Sequence, residues 1–186
     1  AASALLGIAI ALYPYMVANV SAVLGSDSTF YLARLGSMNK VADALPLLQT
    51  DRGLFLLLLF LIKILTGLSA EWVVRLMPAL LSGLLAVSSF ALVREGTGRL
   101  CVAAFAALLS VVSAQTALGM GADIITNWFA LSLVIFTFAL IVRSIRLHST
   151  LAAVGSVAFS LALLASYALL WVVFIATLVL IFFASV

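Results

Sequence analysis

Residues 53–70 read GLFLLLLFLIKILTGLSA, apolar apart from Lys63 near the middle and the small hydroxyl residues Thr66 and Ser69. At about 1.5 Å per residue this stretch reaches about 27 Å as a helix, barely the thickness of a bilayer's hydrocarbon core, about 30 Å. An ammonium group at the centre of a spanning helix costs about 2.5–3.5 kcal/mol on insertion scales. The segment therefore has two readings: a short span that carries a charge, or a re-entrant or juxtamembrane helix that does not cross.

The surrounding chain makes the question one about a membrane. Of its 186 residues, 67% are hydrophobic and 8% charged, and the mean hydropathy is +1.39. A soluble domain carries about 25% charged residues, so nine basic and six acidic side chains cannot cover a water-facing surface of this size. Soluble enzyme folds are excluded on this ground. Outer-membrane barrels are excluded because their strands alternate apolar and polar positions over about 10 residues, whereas the runs here are continuously apolar. The composition predicts an all-α, polytopic transmembrane helical bundle of about 5 to 6 spans plus the juxtamembrane or re-entrant helix. Spans are expected at residues 1–24, kinked at Pro14, and at 72–93, 100–118, 124–142 and 150–168. The run from Leu151 to Val186 has 36 residues and no charge, about 54 Å as helix, so it should break near Ser166 and Tyr167 and begin a sixth span. The chain reads as one transmembrane domain, 1–186, belonging to a longer protein. Cys101 is the single cysteine, so no intrachain disulfide can form.

Residues 25–52, GSDSTFYLARLGSMNKVADALPLLQTDR, form the one long polar stretch and hold six of the charges: Asp27, Arg34, Lys40, Asp43, Asp51 and Arg52. If 53–70 does not cross, the turns bearing Arg94, Glu95, Arg99, Arg143 and Arg146 lie opposite this stretch with net charge +3, and the positive-inside rule makes them cytoplasmic. If 53–70 crosses, those turns share a side with the long loop, and the rule is satisfied with that loop cytoplasmic. The cost of Lys63 favours the non-crossing arrangement, with residues 25–70 on the outer face of the plasma membrane or its equivalent.

Few residues can carry chemistry. Asp27, in Gly25-Ser26-Asp27-Ser28-Thr29, is either the N-cap of a short amphipathic helix containing Phe30, Tyr31, Leu32 and Leu35, or a general base or metal ligand. Asp123, after Gly119-Met120-Gly121-Ala122, is either a capping residue in a turn or a second acidic group on the same face. Arg52, Lys63 and Arg75 are candidates to hold phosphate oxygens, a guanidinium as a two-pronged fork and an ammonium as a point charge; helix capping, ion pairing and snorkelling are the structural alternatives. Arg94, Arg99, Arg143 and Arg146 read most simply as topology anchors, and Trp72, Trp128 and Trp171 as interfacial or packing aromatics. His148 has no visible role. The sequence holds no phosphate-binding glycine loop, dinucleotide fingerprint or zinc-ligand spacing, and nothing indicates a nucleic-acid partner.

Three patches together resemble the membrane-integral glycosyltransferases of the C superfamily (GT-C), which include protein O-mannosyltransferases and aminoarabinose transferases. Ser26-Asp27-Ser28-Thr29-Phe30-Tyr31-Leu32 is similar to the acidic residue and following aromatic of that family's first external loop. Arg75-Leu76-Met77-Pro78-Ala79-Leu80, through Arg94-Glu95-Gly96-Thr97-Gly98-Arg99, is similar to its span and basic turn. Gly119-Met120-Gly121-Ala122-Asp123 with Asn127-Trp128 is similar to its second external loop. Asp51-Arg52-Gly53-Leu54 extends the likeness to archaeal members. The resemblance implies a GT-C-like fold and transfer of a sugar from a polyprenyl-phosphate donor to an acceptor hydroxyl on the outer face. Asp27 would be the catalytic carboxylate and 25–70 the first external loop with its juxtamembrane helices. The bilayer and a lipid-linked sugar are the implied partners, and a divalent metal is an open option. Asp123 stands alone where the family has paired acidic residues, which weakens the case for a family-type metal site. The competing readings are a non-catalytic subunit of a larger membrane complex, and a transporter or channel subunit in which Lys63 and Asp123 line a pathway.

Overall fold

A computed structural model describes residues 2–17, 28–50, 52–113 and 125–184. These residues are all-α, with no strand among them. The helices are α1 (Ala2–Val17), α2 (Ser28–Ser37), α3 (Val41–Ala44) followed by a 3-10 turn (Leu45–Gln49), α4 (Gly53–Thr66), α5 (Ala70–Thr97), α6 (Leu100–Val111), α7 (Ile125–Leu147), α8 (Thr150–Ser166) and α9 (Ala168–Ala184).

The punctuation follows from local chemistry. Ser69 and Ser149 open α5 and α8, each hydroxyl accepting a hydrogen bond from a first-turn backbone N–H, of Trp72 and Ala152. Gly67 and Gly98 close α4 and α5 in the left-handed conformation, with φ of 68° and 70°, where a missing Cβ removes the steric penalty. His148 makes the α7–α8 turn with φ of 48°. Between α8 and α9, Tyr167 is extended while its backbone N–H still bonds the Leu163 carbonyl. The break therefore falls where the length of the charge-free run requires one.

Two helices, α5 (28 residues) and α7 (23 residues), are long and apolar enough to cross a membrane. The other apolar helices run 10–17 residues. The expected spans at 72–93 and 124–142 extend further at their C-terminal ends: Arg94, Arg143 and Arg146 lie on the last helical turns rather than in loops. Cations are favoured there by the negative end of the helix dipole. For the expected span at 100–118, the described helix covers Leu100–Val111, and residues 114–124 lie outside the described set.

Helix α5 is the hub. Ala4 packs with Ala86 and Phe90, Gly7 sits against Ser82, and the Tyr15 ring faces the Arg75 guanidinium, so α1 runs antiparallel to α5. At one end of the bundle Val73 and Val74 share a core with Ile125 and Trp128, and at the other Glu95 pairs with Arg143 and Arg146; α5 and α7 are therefore parallel. Helix α8 returns along α7, with Phe159 on Phe136 and Leu163 by Leu133, and α9 turns back again, with Phe174 on Phe138.

This order brackets residues 53–66. Both the C-terminal end of α1 and the start of α5 lie at the same end, with α2, α3 and α4 between them in sequence. Helix α4 is 14 residues long, about 21 Å. Its Phe55, Leu56, Leu59 and Phe60 share one core with Tyr31 and Leu35 of α2, with α5 from Val73 to Leu85, and with Ile125 and Trp128 of α7. Together α2, α3 and α4 make up the platform, the part of the chain that joins α1 to α5 at this end, and α4 is not one of the two helices long enough to cross a membrane.

Candidate functional site

Arg52, Lys63 and Arg75, the basic side chains that the sequence singles out, all lie toward the platform end, each with its own set of contacts. Helix α2 exists because Tyr31 and Leu35, one turn apart, can both be buried while Arg34 and Ser37 stay exposed. The Tyr31 hydroxyl is hydrogen-bonded to the Thr126 hydroxyl in the first turn of α7, a link across 95 positions of sequence. Tyr31 lies four positions after Asp27, and Thr126 three after Asp123. Asp27 and Asp123 themselves, like Asp51, lie outside the described residues.

Arg52 converges on the same spot. Its Nη1 donates to the Tyr31 hydroxyl at 3.3 Å, and its guanidinium lies 5.5 Å from the Phe30 ring centroid and 6.0 Å from that of Tyr31. Stacking on aromatic faces holds the planar cation against α2.

Lys63 is bound by backbone carbonyls. Its Nζ donates to the Leu35 carbonyl at 2.6 Å and the Met38 carbonyl at 3.1 Å. The first belongs to the last turn of α2 and the second to the residue just after it, where carbonyls lack intrahelical partners. The charge that makes 53–70 a poor span thus ties α4 to the C-terminal end of α2. Arg75 is similarly engaged: its Nη2 pairs with Glu71 one turn earlier at 2.5 Å, and its guanidinium lies 5.6 Å from the Tyr15 ring and 5.0 Å from the Trp72 ring. The half-exposed Trp72 sits where an interfacial aromatic would. Trp128, in contrast, is fully buried in the core, and Trp171 donates its indole N–H to Ser160 at 3.1 Å, joining α9 to α8.

Beyond α2 the chain turns on Asp43, whose carboxylate accepts the backbone N–H groups of Asn39 and Lys40, both at 3.0 Å. Those two bonds favour the ionised form and hold the carboxyl below its usual value of 3.8. Among the described residues no three His, Cys, Asp or Glu side chains are grouped to hold a metal ion.

Three features escaped the sequence reading. The Tyr31–Thr126 pair joins two ordinary residues of distant segments and has no local pattern. The two carbonyls that receive Lys63 are invisible to composition. Glu95, read only as one charge in a basic turn, is a nearly buried acceptor for two arginines. A comparison of the chain with protein families, curated proteins and solved structures finds no match to any of them.

Proposed function

We propose that the protein is a multi-pass membrane protein of the GT-C type. In this reading it moves a sugar from a polyprenyl-phosphate donor to an acceptor hydroxyl at the platform end, on the outer face. The membrane part of the reading draws on α5 and α7 and on apolar faces left in the open. Leu151, Val154, Val157 and Leu161 line the exposed side of α8, and Leu169, Val172, Val173 and Leu180 that of α9. Contiguous apolar surface on this scale is disfavoured in water and suits lipid. The arginine-rich end then faces the cytoplasm, by its excess of positive charge.

The observation that carries the catalytic part is the Tyr31–Thr126 link with Arg52 upon it. It ties together the two segments that directly follow Asp27 and Asp123 and sets a guanidinium beside them. In the reaction, the acceptor hydroxyl oxygen attacks the anomeric carbon and the bond from that carbon to the phosphate oxygen breaks. The hydroxyl proton passes to the Asp27 carboxylate, and the lipid phosphate leaves with the electron pair, its charge met by Arg52. Lys63, bound to two carbonyls, takes no part. That commitment also removes one of the two charges on which a transport pathway would have been built.

The test is sugar transfer from a polyprenyl-phosphate sugar by the purified protein in proteoliposomes. Asp27→Asn should abolish transfer. Arg52→Gln should lower it by about 10²–10³, the usual loss when a group stabilising transition-state charge is removed. Transfer unchanged in Asp27→Asn, or no transfer by the unaltered protein from any lipid-linked sugar, refutes the reading.

A further inference from the structure

At the end of the bundle opposite the platform, α5 and α7 finish side by side, and between their last turns is a cavity of about 380 Å³. Its walls are of two kinds. Phe90 and Leu147 are apolar; Arg94, Arg143 and Arg146 are cationic, and Glu95 is the one acidic group. Glu95 is only 12% exposed and accepts from Arg143 Nη1 at 3.4 Å and Arg146 Nη2 at 2.6 Å, while Arg146 Nη1 donates to the Glu95 backbone carbonyl at 2.8 Å. The carboxylate and carbonyl together fix the Arg146 fork, and the same carboxylate restrains Arg143. Arg94 lies over the Phe90 ring at 5.9 Å and has no carboxylate partner among the described residues.

Three guanidiniums around one carboxylate leave two positive charges uncompensated within the cavity. Arg143 and Arg146 remain 53% and 45% exposed, so each retains donors that point away from Glu95. Topology alone requires only that basic residues be present at this end; it does not require a largely shielded carboxylate that orders them around a concave site. Phe90 also lines the apolar cleft between α1, α5 and α6, which gives a bound molecule an apolar continuation.

We propose that this cavity binds the phosphate-bearing headgroup of an anionic phospholipid, with Arg94, Arg143 and Arg146 as donors, Glu95 as the positioning residue, and the apolar walls against the upper part of the acyl chains. The site rests on the membrane reading, since it stands at headgroup level only if α5 and α7 cross.

The test uses the detergent-solubilised full chain, with bound lipid counted by native mass spectrometry during titration with phosphatidylglycerol, phosphatidylcholine or inorganic phosphate. The unaltered protein should prefer phosphatidylglycerol, and Arg94→Gln or Arg143→Gln should each weaken that binding roughly fivefold, the effect of one basic residue at an anionic surface. Arg94→Lys, which keeps the charge and the packing, should fall between. Glu95→Gln separates a built site from a diffuse charged patch: it removes the one negative charge, so a patch would bind more tightly, whereas a site ordered by Glu95 binds more weakly. Equal binding of the two lipids, tighter binding by Glu95→Gln, or full displacement of lipid by inorganic phosphate overturns the proposal. Extraction of cell membranes with alkaline carbonate keeps the two readings apart. A chain that stays in the pellet but shows no lipid preference refutes the site alone, and a chain released into the supernatant refutes the membrane reading.

Discussion

Replacing Lys63 by Met keeps an unbranched side chain one atom shorter and removes its charge, and the sign of the effect depends on where α4 lies. In a helix crossing the bilayer, loss of the ammonium would stabilise the protein by about 2.5–3.5 kcal/mol. In the platform it removes the bonds to the Leu35 and Met38 carbonyls, at 2.6 and 3.1 Å. Hydrogen bonds to a charged donor are each worth about 1.5–3 kcal/mol. Lys63 is only partly buried, so solvent screening reduces the total, to about 2 kcal/mol. Leu35 and Met38 are themselves buried, and their carbonyls cannot all find water when the donor is lost. The effect should be local, because what is lost is the tie between α2 and α4. Amide hydrogen exchange over residues 31–38 in a lipid nanodisc should quicken by roughly 30-fold, the equivalent of about 2 kcal/mol, while the middle of α7 is unchanged. Lys63→Arg, which retains donors at the same position, should restore most of the protection. Unchanged or slower exchange in α2, or a more stable protein, would refute the argument.

Other perturbations have equally definite signs. A Cβ on Gly7 would collide with Ser82 Oγ and lie 3.1 Å from both Val111 methyls, so Gly7→Ala should destabilise by about 1–3 kcal/mol in thermal unfolding, with Ser82→Gly restoring part of the loss. At Gly83 the nearest atoms, on Ile8, are 3.7 Å away, and Gly83→Ala should be tolerated in the same assay. Tyr31→Phe leaves the buried Thr126 hydroxyl without its partner and should cost about 1–3 kcal/mol; a double-mutant cycle with Thr126→Val should show a coupling of about 0.5–3 kcal/mol. Asp43 stabilises its turn only as a carboxylate. Because its folded value is depressed, the contribution is complete at neutral pH and disappears as the pH falls through that value; the Asp43 carboxyl carbon should titrate by NMR with a midpoint below the unperturbed 3.8.

Much of the architecture could be read from residue type and length. The unbroken apolar runs give α5 to α9, the pair Gly98-Arg99 gives the first hairpin turn, and the length of the charge-free run requires the break at Tyr167. The modest length of 53–70 foreshadows an α4 shorter than the two helices able to cross a membrane, and the cluster Phe30, Tyr31, Leu32 and Leu35 gives an amphipathic α2, in which Tyr31 and Leu35 are the buried pair. What could not be read lies in pairings between distant polar groups. Lys63 finds carbonyls 28 and 25 positions upstream, and Glu95 finds arginines 48 and 51 positions downstream. A backbone carbonyl is the same in every residue, and an arginine near a helix end is expected in any membrane protein, so neither carries a sequence signal of its partner. Of the residues expected to hold phosphate, Arg52 stands with Tyr31 and Phe30, whereas Lys63 and Arg75 are bound into α2 and α5 by contacts that only the packing creates.

The path of α4 is tested most directly by single-cysteine labelling from one side of a sealed membrane. In a chain with Cys101→Ser, cysteines are placed at Gly36, before α4, at Thr66, after it, and at Gly96, at the arginine end. All three positions are exposed, and an added Cβ at Gly36 or Gly96 meets no atom within 4 Å. A membrane-impermeant maleimide applied to the outside of intact cells should label Gly36→Cys and Thr66→Cys alike and reach Gly96→Cys only after the membrane is opened. Labelling of positions 36 and 66 from opposite sides would mean that α4 crosses the bilayer, and the platform with its candidate site would not exist.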